Sequence, residues 1–330
     1  MSNMEAEPAE VECVADPSAG VEVIEPRLVP LGGIRAMKVN RTLPTRDRSM
    51  VGAWCFADHY GPEPVSQSGG MQVLPHPHTG LQTVSWLFEG EIEHRDSAGV
   101  QAMVLPGQMN LMSAGHGISH SEISTDRIEM LHGVQLWVAL PDGVRDAESG
   151  FQHYEPSAVG LTDSSGDDAG TMRVFVGELG GSAADIVTAT PLLGAELLIR
   201  PGATVVLSVD RTFEHGVLLD TDALEVDGVA IGRASMAYVG PGPESLEIAN
   251  PTGEVARVIL LGGEPFYEDI IMWWNFVGRT HEEIVAYREE WQARAERFGM
   301  VDGWDREDWI PAPPLPTTRL KPRKRPRPRG

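Results

Sequence analysis

The chain has 330 residues, enough for one large domain or two ordinary ones, and its 42% hydrophobic content can fill a substantial core. A formal net charge of −22 argues against binding to nucleic acid or anionic membrane, and no apolar stretch approaches membrane-spanning length. No positive segment followed by an apolar run marks a signal peptide. The two cysteines, Cys13 and Cys55, predict a protein of the reducing cytoplasm without a structural disulfide.

The first segment, residues 1–26, is an acidic arm. It carries many glutamates, no lysine or arginine, and little hydrophobic periodicity. Such a composition cannot bury enough apolar surface to fold, so we expect a disordered, solvated arm.

Short strands separated by Gly and Pro are expected from residue 27 to residue 160. Period-two alternation is clear at Val84, Trp86 and Phe88, and it recurs in the segment Gly133–Leu140. Such alternation is typical of half-buried β-strands. The same pattern returns over residues 161–265, after the polar loop Leu161–Gly170. The fold class predicted is therefore all-β, with two successive β-sandwich or jelly-roll modules that suggest a duplication.

A C-terminal segment, residues 266–310, contains the one helix that the pattern predicts, over residues 281–298. Thr280 and Glu283 form a capping-box pattern before it, and Gly299 can close it. Its apolar stripe predicts packing against a sheet. The stripe comprises Ile284, Tyr287, Trp291, Ala295 and Phe298.

The final segment, residues 311–330, is a proline-rich tail that ends in a basic run. One interpretation is a tail for nucleic acid or another anionic partner. The interpretation we favour is a flexible solvated tail that folds back electrostatically on the acidic body. Nucleic-acid binding by the rest of the chain is not expected.

Two short motifs carry the chemistry: His76-Pro77-His78 and His120-Ser121-Glu122. Residues at i and i+2 of a strand share a face, so each motif can aim two ligands at one point. Pro77 fixes an extended φ and removes a ladder donor, which predicts a strand edge or a bulge. Two such pairs on neighbouring strands would place four ligands around one divalent ion.

The predicted ligand set is three imidazoles and one carboxylate. By ligand chemistry alone it suits Fe, Mn, Co, Ni, Cu or Zn, and the lack of a thiolate disfavours a structural tetrahedral zinc site. A six-coordinate ion with four protein ligands keeps two positions for water, substrate or dioxygen. The alternative is that these are ordinary polar residues of a metal-free scaffold.

The other histidines receive less specific predictions. His59 is expected in a turn, and His94 on a solvated hairpin, with a place at the mouth of the site as the alternative. His116, between two glycines, is a candidate to lie behind the metal ligands. His132 and His215 are expected to be structural.

The chain resembles the pirin family of the cupin superfamily, densely over Leu28–Pro141 and more loosely to the C-terminus. The resemblance implies two facing cupin domains, with iron in the first domain only and with His76, His78, His120 and Glu122 as its ligands. The segments that carry it are Arg41–Pro62, Pro75–Ser97 with PHPHTGLQTVSWLFEGEIEHRDS, Leu105–Glu122 with LPGQMNLMSAGHGISHSE, and His132–Pro141 with HGVQLWVALP, followed by Gly262–Pro265 and Trp273-Trp274.

Three positions depart from the family pattern. Many pirins have an arginine and a glutamate where this chain has Thr79 and Gln82, and an arginine where it has His116. The ligand set survives, but the charge near the pocket changes, which affects transfer of a substrate more than transfer of the metal.

The resemblance implies two functions of different classes. One is an iron-dependent dioxygenase of the quercetin 2,3-dioxygenase type that opens a flavonoid-like small molecule, with Glu122 as the catalytic proton acceptor. The other is a regulatory protein that binds transcription factors or metabolic enzymes according to the metal and its redox state.

Overall fold

The computed structural model describes residues 20–31, 37–305 and 307–322. Its strands, in chain order, are β1 (Glu22–Ile24), β2 (Arg27–Pro30), β3 (Lys38–Leu43), β4 (Trp54–Pro64), β5 (Gln72–His78), β6 (Leu81–Glu89), β7 (Ile92–Asp96), β8 (Gln101–Val104), β9 (Met109–Ser113), β10 (Ile118–Ser124), β11 (Met130–Ala139), β12 (Gly150–Tyr154), β13 (Val159–Thr162), β14 (Asp168–Val176), β15 (Glu178–Leu179), β16 (Ser182–Ala183), β17 (Leu192–Ile199), β18 (Thr204–Ser208), β19 (Glu214–Leu219), β20 (Ala223–Val226), β21 (Val229–Gly232), β22 (Met236–Val239), β23 (Ser245–Ala249), β24 (Ala256–Gly263), β25 (Ile271–Trp273) and β26 (Phe276–Gly278). The α-helices are α1 (Val65–Ser68) and α2 (His281–Gln292), and a 3-10 turn spans Glu296–Phe298.

Each of the two domains pairs a seven-stranded sheet with a four-stranded sheet. The first domain has the orders β12-β9-β6-β11-β4-β3-β2 and β5-β10-β7-β8. The second has β13-β14-β17-β24-β19-β22-β1 and β18-β23-β20-β21. All named pairs are antiparallel, so alternate side chains face the inside of each sandwich. The prediction of an all-β fold with two sandwich domains is confirmed.

The large sheets of the two domains pack against each other through one shared apolar cluster. That cluster joins Trp54, Trp86 and Trp137 of the first domain to Phe175 and Ile259 of the second. The rings of Trp86 and Phe175 stack at a centroid distance of 4.7 Å. Buried aromatic area on this scale ties the domains into one unit.

Two predicted boundaries need correction. Residues 1–26 were expected to be disordered, but Glu22–Ile24 forms β1 and pairs with Met236–Val239 at the edge of the second large sheet. Hydrophobic Val23 and Ile24 supply the strand, and residues 1–19 lie outside the described part of the chain. The expected domain boundary at 160/161 cuts through β13, which belongs to the second domain; the chain therefore crosses between the domains at 155–158.

The predicted helix 281–298 is shorter in the structure, since α2 ends at Gln292. Arg294 adopts φ +57°, a left-handed conformation that reverses the backbone and stops the helix. A separate 3-10 turn follows at Glu296–Phe298, and Gly299 at φ +60° closes that turn rather than the helix.

The proline-rich tail was expected to be flexible, and this is wrong for residues 311–320. Arg288 Nε donates to Pro313 O at 2.7 Å, and Ala312 N donates to Gln292 Oε1 at 2.8 Å. Arg319 pairs with Glu282 of α2 at 2.7 Å, in keeping with electrostatic folding-back. This part of the tail thus lies along α2, whereas residues 323–330 with most of the basic run lie outside the described part.

Candidate metal centre

Strands β5 and β10 bring the two predicted motifs together. They pair antiparallel, with His120 directly opposite His76 and Ile118 opposite His78. The register shifts between His120 and Glu122, because β5 carries one extra residue at that point. Strand β5 is the edge of its sheet, which is where Pro77 was predicted to lie.

Three imidazoles meet inside the first domain, where water does not reach them. His76, His78 and His120 are each 0% exposed, and their ring centroids lie 4.4–5.1 Å apart. His78 Nε2 and His120 Nε2 are 3.1 Å from each other. The edge of His78 also packs against Trp137 at a centroid distance of 5.2 Å, which places the cluster between the two sheets.

The backbone fixes which ring nitrogen faces the cluster. His76 Nδ1 donates to Leu74 O at 2.9 Å, and His78 Nδ1 donates to Asn275 O at 3.2 Å. A carbonyl can only accept, so in both rings Nδ1 carries the proton and Nε2 offers a free lone pair. His76 Nε2 is buried and has no hydrogen-bond partner among the described residues. A lone pair directed into a dry cluster is what a metal ion requires.

Burial lowers the pKa of His76, His78 and His120 well below the ordinary value of histidine. Desolvation disfavours the charged form, so these rings stay neutral at pH 7. Neutral imidazole is the form that binds metal, and the site need not release imidazolium protons when an ion enters.

Glu122 joins the cluster through His120. A carboxylate oxygen of Glu122 and one ring nitrogen each of His94 and His120 lie within 4.8 Å of one another, as do nitrogens of His76, His78 and His120. Glu122 is 1% exposed, and the Ser85 hydroxyl lies 3.4 Å from its Oε1. The structure thus places all four predicted ligands in one region, with His120 shared by two groups.

His94 is a site residue that the sequence interpretation placed wrongly. It is 3% exposed rather than solvated, and its Nδ1 lies 3.3 Å from His120 Nδ1. Its Nε2 lies 3.3 Å from Asp96 Oδ2. The signal was available, since His94-x-Asp96 has the same i, i+2 spacing and lies opposite Glu122 and His120 on β10.

Two further histidine predictions are wrong. His116 is exposed, with its Nδ1 3.2 Å from Ala147 O, so it cannot support the buried ligands. His59 lies in β4, not in a turn, and is 1% exposed. Of the residues that depart from the family pattern, Thr79 and Gln82 are both buried in the first domain.

The equivalent strand pair of the second domain has no such ligands. Strands β18 and β23 occupy the same places in their sheet as β5 and β10 do in theirs. Their inward positions hold aliphatic side chains, namely Val205 opposite Ile248 and Leu207 opposite Leu246. In this part of the chain hydrophobic packing replaces the ligand set, so the donors fit a divalent ion only on the first-domain pair.

Comparisons with known proteins agree with this architecture. Residues 36–138 match the family model described as Pirin, and residues 194–299 match the model described as Pirin C-terminal cupin domain. No described helix is long and apolar enough to cross a membrane.

Relatives match over most of their length. A Pseudomonas aeruginosa protein named "Putative quercetin 2,3-dioxygenase PA1205" is 41% identical over 88% of this chain and 89% of its own. A Caulobacter vibrioides pirin-like protein is 35% identical over 84% of this chain and 94% of its own. The crystal structure of quercetin 2,3-dioxygenase from Acinetobacter baumannii superposes with a TM-score of 0.85 at 35% identity, covering 92% of this chain and 98% of that one. The chain therefore belongs to the pirin family of two-domain cupins.

Proposed function

We propose that the protein is a metal-dependent oxygenase of the quercetin 2,3-dioxygenase type, with one iron ion held by His76, His78, His120 and Glu122. The observation that carries the proposal is the convergence of three buried, neutral imidazoles on β5 and β10, with the carboxylate of Glu122 adjacent to one of them, His120. Relatives at 41% and 35% identity that bear the quercetin dioxygenase name support the reaction class. Other divalent ions of the same ligand preference, Mn, Co, Ni, Cu and Zn, compete for the same donors.

The proposed substrate is a flavonoid-like molecule with adjacent hydroxyl and carbonyl oxygens. A bound iron would supply Lewis acidity and dioxygen chemistry at this place. Glu122 then acts as the base that accepts the flavonol hydroxyl proton, because it is the one carboxylate of the predicted ligand set. Ser85 Oγ lies 3.4 Å from Glu122 Oε1 and 3.0 Å from Gln135 Oε1, and its single proton can orient the carboxylate when it is donated to Glu122 rather than to Gln135.

The proposed reaction requires that the substrate reach the buried ligands. The four ligands are at most 1% exposed, so a flavonol reaches them only after the first domain opens. Such opening is common in enzymes whose sites exclude water during the reaction.

The test is turnover of quercetin by protein purified without a histidine tag. The protein is loaded with Fe²⁺ under anaerobic conditions, oxygen and quercetin are added, and the loss of flavonol absorbance is followed. We expect turnover by the wild type and by His116→Ala, whose side chain is exposed. His120→Ala should lose the iron of the β5–β10 centre and the activity together, and Glu122→Gln should lower kcat by about 10²–10⁴-fold, the usual contribution of a general base.

Turnover by the wild type that is no faster than that of His120→Ala would remove the flavonol proposal. Metal analysis of the same samples separates the two reasons for failure. Inactive wild type that holds one ion per chain more than His120→Ala contradicts the substrate, whereas wild type that takes up no more metal than His120→Ala contradicts the site itself.

A second candidate function is a regulatory protein whose partner binding depends on the metal. The complete burial of the ligands favours it, since a metal in such a place acts on the fold more readily than on a large substrate. Partners captured by wild type and by His76→Ala should then differ, and identical partner sets would contradict metal-dependent binding. For either function we infer a cytoplasmic location, in keeping with a chain of 330 residues that has only two cysteines.

A further inference from the structure

A second group of potential metal ligands lies away from the β5–β10 centre, where the two domains meet. It consists of His59 on β4, His132 on β11 and Asp220, which directly follows β19. One donor atom from each lies within 4.8 Å of the others. The first two residues come from the first domain and the third from the second, so the group exists only when the domains are together.

Both imidazoles point the same nitrogen at the same oxygen. His59 Nε2 lies 2.6 Å and His132 Nε2 lies 2.5 Å from Asp220 Oδ1. The three side chains are 1%, 6% and 5% exposed. The two rings are nearly perpendicular, with centroids 5.6 Å apart, and the edge of His132 packs against Phe88 at 4.9 Å. Three potential metal-ligand atoms therefore converge on one point beside the apolar ring of Phe88.

The carboxylate is held in place from behind. Arg257 Nη1 donates to Asp220 Oδ2 at 3.2 Å, which leaves Oδ1 for the histidines. Arg233 Nε donates to Asp220 O at 2.9 Å, and Arg233 Nη2 donates to Gly61 O of the first domain at 2.9 Å. Fixed outer partners of this kind orient the ligands of metal sites.

We propose that His59, His132 and Asp220 bind a second divalent ion of the zinc class, which joins the two domains. Two imidazole nitrogens and one carboxylate oxygen, with water as a fourth ligand, are a common zinc donor set. Ligands about 2.0–2.2 Å from a tetrahedral ion lie about 3.3 Å apart, so each histidine nitrogen moves roughly 0.7 Å away from Asp220 Oδ1 when the ion enters.

The charge around the group has to be considered because arginines lie close. Arg257 is shared, since its Nε lies 3.4 Å from Glu196 Oε1 while its Nη1 contacts Asp220. Glu196 is also 3.6 Å from Arg173. The two buried carboxylates thus offset part of the positive charge. The incoming ion meets three protein ligands here and four at the β5–β10 centre, which predicts a lower affinity.

The test uses protein in which the β5–β10 centre is disabled by His120→Ala, purified without a tag and stripped with chelator. Zn²⁺ uptake at equal concentrations of metal and protein should be close to one ion per chain. Zn²⁺ should raise Tm, and chelator should reverse the rise. Co²⁺ in its place should give the visible absorbance of a four-coordinate nitrogen and oxygen site.

The matched variants add one substitution to His120→Ala. His59→Asn or His132→Asn should abolish uptake and the Tm shift, whereas His215→Leu, which changes a buried histidine outside the group, should retain both. Two histidine variants are included so that one that fails to fold, as judged by circular dichroism, leaves the other. Two results would overturn the second site: no Zn²⁺ uptake by His120→Ala, or Zn²⁺ uptake that neither asparagine variant changes. The three residues would then form only a hydrogen-bonded contact between the domains.

Discussion

His215 shows how one buried titratable side chain makes the stability of the protein depend on pH. It is 1% exposed, and neither ring nitrogen has a hydrogen-bond partner among the described residues. Burial lowers its pKa from 6.5 to about 4. The folded state therefore resists a proton that the unfolded state accepts below about pH 6.5. Its contribution to stability is complete above pH 6.5 and is lost as the pH falls from 6.5 to 4.

Replacement of this side chain should remove that pH dependence. Between pH 7 and pH 5 the wild type should lose about 2 kcal/mol of unfolding free energy through this group. The loss of unfolding free energy in His215→Leu should be smaller than in the wild type by that amount. At pH 7 His215→Leu should be at least as stable as the wild type, because no polar ring nitrogen remains buried and unpaired. Urea unfolding at the two pH values measures both quantities, with His116→Ala as the exposed control. An equal loss in wild type and His215→Leu would contradict the assignment.

The proximity of the four proposed ligands could be predicted at the scale of single residues because the strand period is two. The two residues of His-x-His, and those of His-x-Glu, are separated by two positions, so they lie on the same face of a strand. This spacing can be read directly from the sequence. For His94 the favoured prediction was a solvated hairpin, with the mouth of the site as the alternative, because a histidine beside Glu93, Arg95 and Asp96 has the composition of an exposed segment. Its burial comes from the neighbouring strand β10, a contact that local composition does not encode.

Helix α2 shows how much of one element the sequence determines. The start was predicted correctly, because Thr280 caps it by accepting from Glu283 N at 3.2 Å. The carboxylate of Glu283 interacts with the backbone N–H of Thr280, as the capping box predicts. It also accepts from Arg279 N at 2.7 Å and pairs with Arg145 at 2.9 Å. The end was predicted too late, since a left-handed conformation at an arginine has no sequence signal.

Loss of the helix cap should have a small but measurable effect. Thr280→Ala removes the acceptor for Glu283 N and should lower the unfolding free energy by about 1 kcal/mol. Thr280→Ser keeps a hydroxyl at that place and should remain close to wild type. Chemical denaturation of the three proteins measures the difference, and a Thr280→Ala protein as stable as Thr280→Ser would show that Arg145 and Arg279 alone hold the helix start.

For the whole molecule, duplication could be predicted but contacts between distant segments could not. Repeated strands and turn punctuation indicated two sandwiches. Asp220, by contrast, meets His59 and His132 across 161 and 88 residues of sequence, and no local pattern gives such a pairing. The packing of the C-terminal segment on β5 and β10 could likewise not be predicted, because it depends on the complete fold.

The C-terminal segment supports the metal centre from outside the first domain. Ser119 Oγ donates to Phe298 O at 2.8 Å, and Trp304 Nε1 donates to Ser121 Oγ at 2.9 Å. These two serines flank His120 on β10 and point away from the site. Ile310 N donates to the carbonyl oxygen of the residue before His76, Pro75, at 2.9 Å. The C-terminal segment thus contacts both β5 and β10 on the side away from the candidate site.

A chain that stops after residue 295 should therefore bind metal about 10–100-fold more weakly, the usual cost of losing outer support. The affinity is measured by competition with a chromophoric chelator, in the His59→Asn background so that only the β5–β10 centre contributes. A chain that stops after residue 322 is the control and should match the full-length protein. If the shorter chain does not fold, Ser119→Ala with Trp304→Phe tests the same contacts. Equal affinities would show that the strands hold their ligands unaided.

The pairing of β1 with β22 has a consequence for the order of events during synthesis. Glu22–Ile24 leaves the ribosome before the whole first domain, yet its partner Met236–Val239 is made only after most of the second domain. The first domain can therefore complete its sheets before β1 has a partner strand. Until it docks, β22 presents an open edge, to which the same strand of another nascent chain can add. We therefore expect chaperones to bind the nascent chain mainly late in translation, when the seven-stranded sheet of the second domain is complete except for β1.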